Sequence, residues 1–315
     1  MSRDRQTSGH GMLNFPRVEH VRAISRQSFL DRYRSVRRPV VLDDFSAAWP
    51  AREKWSLDYL QSVAGHRLVP LCESRPARGR RHQHAAVTRM PLAAYLERLR
   101  RGENALRIFF VRVRSELPEL VSDFTYPDVG VRYFKNLPVL FVGGRGARVQ
   151  MHFDIDLADT FLCHFGGRKR VILFAPDQTP YLYRVPFSFS SRFDLEPERP
   201  DCEKFPAFAL ARGQIADLAH GETLYIPPGY WHYVLYDEIG FSLSLRALPS
   251  TAGDLVAALY NVVVLRTVDG WMRRSLGQRW NDWNERRAVQ RVHRRLALTA
   301  GKHHRGGRRF ACSGS

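Results

Sequence analysis

The sequence predicts a mainly β fold, an antiparallel sandwich or barrel with helices before and after it. Three observations predict this class. From Ile108 onward the chain breaks into short apolar segments separated by Gly- and Pro-rich turns. Helical spacing does not alternate with those segments, as a parallel βαβ sheet would require. Instead it is confined to the stretches before residue 104 and after Pro249. With 44% hydrophobic and 12% aromatic residues in 315, the chain can bury one substantial core with extensions, so global disorder is excluded.

Taken in order, residues 1–17 are polar and are expected to be disordered. Residues 18–104 form a lead-in that packs on the core. Within it Ser25 caps a helix reaching Arg34 that carries Phe29, Leu30 and Tyr33, and Arg38-Pro-Val-Val-Leu-Asp reads as a short buried strand. A second helix begins on Ser56, and Ser74–His84 is an Arg/His/Gly-rich loop. Pro91–Arg101 is amphipathic, with proline at its start and Gly102 just past its end.

Residues 105–249 form the β core. Its strands are expected at Val139–Gly143, Val149–Ile155, Thr160–Phe165, Arg168–Phe174, Glu222–Ile226, His232–Leu235 and Gly240–Arg246. Residues 250–298 return to helical spacing: Leu255, Leu259, Val262, Val263 and Arg266 mark one helix, and Trp271–Leu296 supplies basic ones. Residues 299–315 read as a disordered basic tail, and no internal repeat is present.

Cys72, Cys163, Cys202 and Cys312 share no CxxC spacing, which argues against structural zinc and a disulfide framework. The opening Met-Ser-Arg-Asp-Arg-Gln has no apolar segment, and no run approaches the roughly 18 apolar residues of a membrane span. A cytoplasmic protein without membrane contact is the expectation. Net charge is +18, and residues 271–315 hold twelve Arg/Lys against two acids. Such a tail favours anionic partners (nucleic acid, acidic protein or a membrane surface), or else is a solubilising arm or an arginine bias of a GC-rich genome.

The chemistry concentrates in His152-Phe153-Asp154, answered by His232 at the end of Gly221-Glu-Thr-Leu-Tyr-Ile-Pro-Pro-Gly-Tyr-Trp-His. On a strand, residues i and i+2 share a face, so His152 and Asp154 converge while Phe153 points away. Two imidazoles and a carboxylate hold non-haem Fe(II) by one face and leave the other open. Asp156 is also in phase with His152, either as the acceptor that orients it or as the carboxylate ligand itself; Asp154 is preferred. In Gly166-Gly-Arg-Lys-Arg-Val-Ile-Leu-Phe, Lys169 shares a face with Val171 and Leu173, while Arg168 and Arg170 share the other. A lysine on an apolar face needs an anion, and beside a metal that anion is the distal carboxylate of a co-substrate.

These residues resemble the JmjC-type, cupin-like family of Fe(II)/2-oxoglutarate oxygenases. The likeness covers roughly residues 18–248 and rests on the HxD at His152 and Asp154, Gly-x-Lys-Arg-x-Ile-Leu-Phe around Lys169, and the segment ending at His232. It extends to Arg38-Pro-Val-Val-Leu, Trp49-Pro-Ala, Lys54-Trp-Ser and Leu117-Pro-Glu-Leu in the lead-in. Met-His-Phe-Asp-Ile-Asp, Gly-Tyr-Trp-His-Tyr and Ser-Leu-Arg are similar to a bacterial cupin-like subgroup with a helical C-terminus. The resemblance implies a double-stranded β-helix (jelly-roll, cupin) core with iron on His152, Asp154 and His232. It also implies 2-oxoglutarate gripped by Lys169 with help from Thr160, and O₂ as the oxidant. Val149 stands where many members carry Ser or Thr, and Phe109 and Phe110 stand nearest a usual Tyr; Tyr133 or Ser244 is expected to substitute.

The function expected is hydroxylation of a protein or peptide, or of RNA, with 2-oxoglutarate oxidised to succinate. The rival reading is a cupin-fold binding protein whose metal is structural or vestigial, docked to nucleic acid by its basic tail. The C-terminal helices carry Trp271, Trp280 and Trp283, more than a solvent-facing arm needs, so a homodimer through them is expected, the alternative being that they pack back onto the barrel.

Overall fold

The computed structural model describes residues 15–303 except 77, 82 and 83. Among the described residues, thirteen strands form two sheets. The lead-in contributes β1 (His20–Val21), β2 (Val40–Leu42), β3 (Leu68–Glu73) and β4 (Thr88–Pro91). Then come β5 (Leu106–Arg112), β6 (Val139–Gly143), β7 (Arg148–His152), β8 (Asp159–Gly166) and β9 (Lys169–Phe174). Finally, β10 (Gly213–Leu218), β11 (Thr223–Ile226), β12 (Trp231–Tyr236) and β13 (Gly240–Ala247) complete the set. The larger sheet runs β1-β2-β11-β8-β13-β6-β5-β3-β4 and the smaller runs β10-β9-β12-β7. Strands β6 to β13 therefore cross between two facing sheets, the jelly-roll arrangement.

The lead-in does more than pack on the core, because all four of its strands hydrogen-bond into the larger sheet. Strands β1 and β5 are given no bounds by the sequence reading, and three more escaped it for identifiable reasons. Pro70 sits inside β3, where proline argues against a strand; β4 is short and polar; and β10 (Gly-Gln-Ile-Ala-Asp-Leu) lacks a β-branched, aromatic run. At the N-terminus, residues 15–17 dock instead of fraying: Phe15 lies edge-on to Phe174 at 5.4 Å, and Arg17 bridges to Ile215. The remainder of the disordered stretches expected at 1–17 and 299–315 lies outside the described residues, apart from a helix that continues to His303.

Apolar layers lie on three levels. Between the sheets sit Val149, Leu162, Val171, Leu173, Val234 and Tyr236. Outside the larger sheet, the lead-in helices bury Phe29, Tyr33, Trp55, Tyr95 and Leu96 against Phe161, Phe165 and Leu243. Outside the smaller sheet, Tyr183, Phe205 and Phe208 cover Ile172, Phe174 and Trp231, with Val292 of the helix Gln278–His303 joining them. Segment 181–208 is thus chiefly a structural wrap, although Phe187 and Phe189 of it reach the cavity described below. It also shields the edge of the smaller sheet, since Ser191 N–H donates to Met151 O (2.9 Å) and Phe153 N–H to Phe189 O (3.0 Å).

Candidate metal centre and its two cavities

His152 ends β7 and faces His232 of β12 across the antiparallel ladder, their ring centroids 4.2 Å apart. The ladder shifts register between His232 and Val234, a bulge that re-aims the end of β7. Asp154 lies beyond β7, in a turn closed by Leu157 N–H donating to Asp154 O at 3.0 Å. The convergence of His152 and Asp154 therefore does not come from a continuous strand reaching Ile155, as the alternation suggested; a strand end and the turn after it produce it. One ligand atom from each of His152, Asp154 and His232 lies within 4.8 Å of the others.

Hydrogen bonding fixes which atoms face that point. His152 Nδ1–H donates to Gln150 O (2.7 Å) and His232 Nδ1–H to Tyr230 O (3.2 Å), because a carbonyl can only accept. Each imidazole is thereby set in the tautomer that leaves Nε2 bare, the metal-ready form. Asp154 receives Thr160 Oγ1–H (3.0 Å) and the Arg246 guanidinium (3.2 Å), both on Oδ2, so Oδ1 is left to bind.

The electrostatics agree. Burial and the neighbouring His232 push His152 down to about 3, and burial lowers His232 against the pull of Asp154, so both stay neutral. Burial opposes the Asp154 charge, but Arg246, the two histidines and the Thr160 hydroxyl outweigh it and hold the carboxyl below its usual range. Two neutral Nε2 atoms and a carboxylate make the donor set that suits non-haem Fe(II). The residues fit the ion.

Asp156 neither orients His152 nor joins the ligands. It accepts from Arg246 Nε at 2.9 Å and from the same guanidinium's Nη2. Arg246, buried, thus bridges two carboxylates, and it was given no role in the sequence reading. The signal was present: along β13, Ser242, Ser244 and Arg246 alternate with Phe241, Leu243 and Leu245, a polar stripe aimed between the sheets.

That stripe meets Lys169, whose side chain is buried in an inner cavity with His152, Asp154, Thr160, His232, Ser244 and Arg246. Lys169 Nζ donates to Ser242 Oγ (2.5 Å) and lies 4.1 Å from the Tyr236 ring centroid. Gly143 makes this possible, since a Cβ there would stand 2.8 Å from Tyr236 ring carbons. Among the described residues Lys169 has no carboxylate partner, and burial pushes it down to about 7. Ser244 Oγ, on the same wall, is buried with no partner. A stranded cation and an unused hydroxyl together describe a site for an anion. Arg168 and Arg170, on the other face, pair with Glu238 and Asp217.

Two expected co-substrate contacts are placed differently. Thr160 lines the inner cavity, but its proton goes to Asp154. Tyr133 is absent from the cavity: its hydroxyl donates to Pro127 O (3.0 Å) and its ring packs on Phe161 and Tyr126, outside the larger sheet. Val149 closes the inner cavity with a hydrocarbon wall, as do Phe109 and Phe110.

A second, outer cavity of about 350 Å³ shares Phe109, Phe110, His152, Asp154 and Arg246 with the inner one. It adds His84, Arg184, Phe187 and Phe189 and opens past Asn261 and Arg266 of the helix Ala252–Leu276. The ligands therefore sit where a narrow anion slot meets a wider chamber.

A family profile described as a cupin-like domain matches residues 26–257. The chain is 28% identical to the tRNA wybutosine-synthesizing protein 5 of Gallus gallus, over 75% of this chain and 79% of that protein. It is 30% identical to the lysine-specific demethylase 8 of Xenopus tropicalis (74% and 51%) and 29% identical to the Jumonji C domain-containing protein 5 of Drosophila melanogaster (72% and 59%). It spans only a little over half the length of those last two. With the two-sheet fold, the His-Asp-His cluster and the profile in agreement, the chain belongs to the cupin-like, JmjC-type family of oxygenases.

Proposed function

We propose that this chain is an Fe(II)- and 2-oxoglutarate-dependent hydroxylase acting on a macromolecule, protein, peptide or RNA. The observation that carries the reading is Lys169: a buried ammonium without a carboxylate, in one slot with three metal ligands and the unsatisfied Ser244 hydroxyl. The named activities of the relatives, lysine demethylation and tRNA wybutosine synthesis, support macromolecular substrates.

His152 Nε2, His232 Nε2 and Asp154 Oδ1 would hold the iron, and Lys169 with Ser244 would bind the distal carboxylate of 2-oxoglutarate. When bound, iron and 2-oxoglutarate supply O₂ activation coupled to oxidative decarboxylation to succinate. The chain's own part is positional. Arg246 and Thr160 keep Asp154 ionised and turned toward the histidines. Phe109, Phe110, Phe141, Val149 and Leu162 keep the slot dry, which strengthens the Lys169 contact. The test is iron-dependent release of succinate and CO₂ from 2-oxoglutarate by the purified chain; metal-loaded protein that releases neither contradicts the assignment and favours the binding-protein reading.

Lys169 carries a pH signature. With its ammonium lowered to about 7, the free site is charged below that pH and neutral above it. An arriving carboxylate raises the lysine again, so binding above pH 7 takes up a proton and affinity declines as pH rises. Calorimetry at pH 8 in two buffers of different ionisation enthalpy should show proton uptake approaching one per site. Lys169→Ala should abolish that uptake and weaken 2-oxoglutarate by about 10- to 100-fold, the worth of a hydrogen bond to a charged group. Binding that takes up no proton would remove Lys169 from this role.

The helix Ala252–Leu276 bears on assembly. Leu255, Val256, Leu259, Tyr260, Val263 and Trp271 are each more than half exposed. By length and composition alone this helix is able to cross a membrane, which the sequence reading did not anticipate. Its other side belongs to the fold, through Asp254 paired to Arg37 (2.5 Å) and Asn261 donating to Ile155 O (3.3 Å). A second copy covering the apolar side accounts for an exposed patch of this kind. Of the three tryptophans, Trp280 packs back on Phe187 and stacks on Trp283, leaving Trp271 for the interface. Sedimentation at micromolar concentration should give a dimer that Leu259→Asp converts to monomer; wild-type monomer contradicts it.

A further inference from the structure

The outer cavity has a charge and a lining of its own. Its acids are committed: Asp154 and Asp156 to Arg246, and Asp269 to Arg273 (2.8 Å) and Trp280 Nε1–H (2.9 Å). Arg184 and Arg266 have no carboxylate partner among the described residues; with Arg246 shared by two carboxylates and Arg273 on Asp269, the chamber keeps about one net positive charge. A lysine or methyl-lysine side chain entering it would find every lining carboxylate already bonded to an arginine and two guanidinium groups without a carboxylate.

Five phenylalanines (Phe109, Phe110, Phe153, Phe187 and Phe189) line it. Consecutive strand residues should face opposite ways, yet Phe109 and Phe110 both reach the cavity because β5 slips register against β6 between Ile108 and Val111. Phe110 and Phe187 hold left-handed φ of 63° and 56° and are each 39% exposed. Strain of this kind persists where the surrounding structure imposes it, commonly at ligand sites.

His84 supplies a directed polar group. The buried Arg107 donates to His84 Nδ1 at 2.7 Å, and arginine has no lone pair with which to accept. Nδ1 is therefore the unprotonated nitrogen and the proton resides on Nε2. The ring stacks on Phe109 at 4.2 Å, and Nε2 is buried with no partner. It stands outside the metal cluster and lines only the outer cavity, so it is a donor waiting for the substrate, not for the metal or co-substrate.

We propose that the outer cavity receives a single unstacked nucleotide of an RNA strand, its base against Phe110 and Phe187 and an acceptor on the base edge held by His84 Nε2–H. Flat rings for stacking, a fixed donor for an edge and arginines without a carboxylate partner among the described residues are the elements of single-strand recognition. The basic helix Gln278–His303 follows in the chain, after a break at Gly277, the helix that forms the cavity mouth. The inference rests on the oxygenase reading and narrows its substrate.

The test uses the full chain loaded with substoichiometric Mn(II) and with 2-oxoglutarate, and follows paramagnetic broadening of base protons of the four nucleoside 5′-monophosphates. At least one nucleotide should be broadened by wild type. The effect should fall about tenfold in His84→Ala and in Phe187→Ala, and return in Phe187→Tyr. Nα-acetyl-lysine methylamide should stay sharp. Broadening of the lysine probe with nucleotides unaffected overturns the proposal in favour of a peptide. If Mn(II) itself does not bind, the metal reading beneath the proposal fails instead. Mn(II) bound with every base sharp defeats the nucleotide inference alone.

Discussion

In His152→Ala and His232→Ala, Fe(II) affinity is expected to fall by more than about 100-fold, and iron-dependent succinate release to vanish, while the chain stays folded. Partners that merely orient a metal ligand are worth about 10- to 100-fold in affinity, so the ligand itself should be worth more. Folding should survive because neither imidazole carries a net charge or holds a long-range ion pair; each bonds only the carbonyl two residues before it. Metal analysis after desalting, with circular dichroism as the folding control, measures both quantities. Full iron occupancy in both variants would show that the cluster is not the metal site.

Arg246→Met should be the most damaging change for stability. The arginine is buried, its guanidinium lies 3.2 Å from Asp154 Oδ2, and it is also bonded to Asp156. Removing it leaves two carboxylates facing each other at a barrel mouth without their cation. Breaking a buried pair in this way costs about 3–5 kcal/mol. The sign with pH follows from the native shift. Asp154 is held below its usual range, so its stabilisation is present above the unfolded-state pKa and is lost only as pH falls through the lower native value. Without Arg246, burial dominates and the carboxyl moves up, so acid should release metal at a higher pH than in wild type. Urea unfolding should show the loss, and adding Asp156→Asn should recover part of it. A loss under about 1 kcal/mol would mean that the triad is solvated like a surface pair.

The sequence disclosed these groups unevenly, for physical reasons. His152 and Asp154 are legible from their HxD spacing. Lys169 and His232 are legible because each breaks an expectation for its position, a polar or charged group on a strand that must be buried. Arg246 breaks the same rule, but it sits at a strand end, where a long cation ordinarily reaches solvent, and only the fold reveals two carboxylates beside it. His84 and Arg107 were not legible at all. Their pairing joins a loop to a strand 23 residues away, and the Phe109–Phe110 bulge that completes the wall follows from a register slip against β6. Tyr133 shows the converse error, a plausible residue type whose hydroxyl is already used by Pro127. In the fold, β2 and most strands of the core were read from apolar segments and turns. Strands β3 and β4 of the lead-in were not, because Pro70 and the polar Thr88–Pro91 pair through tertiary context, not propensity.

The most direct test is anaerobic titration of the purified chain with Fe(II) and 2-oxoglutarate, following the visible charge-transfer absorption of a 2-oxo acid chelated to ferrous iron. One equivalent of iron per chain should develop the band in wild type. Lys169→Ala should need far more 2-oxoglutarate to reach the same intensity, and His152→Ala should show none. A wild-type chain that stays colourless at saturating 2-oxoglutarate, or a His152→Ala variant that colours equally, would contradict the ferrous centre proposed for His152, Asp154 and His232.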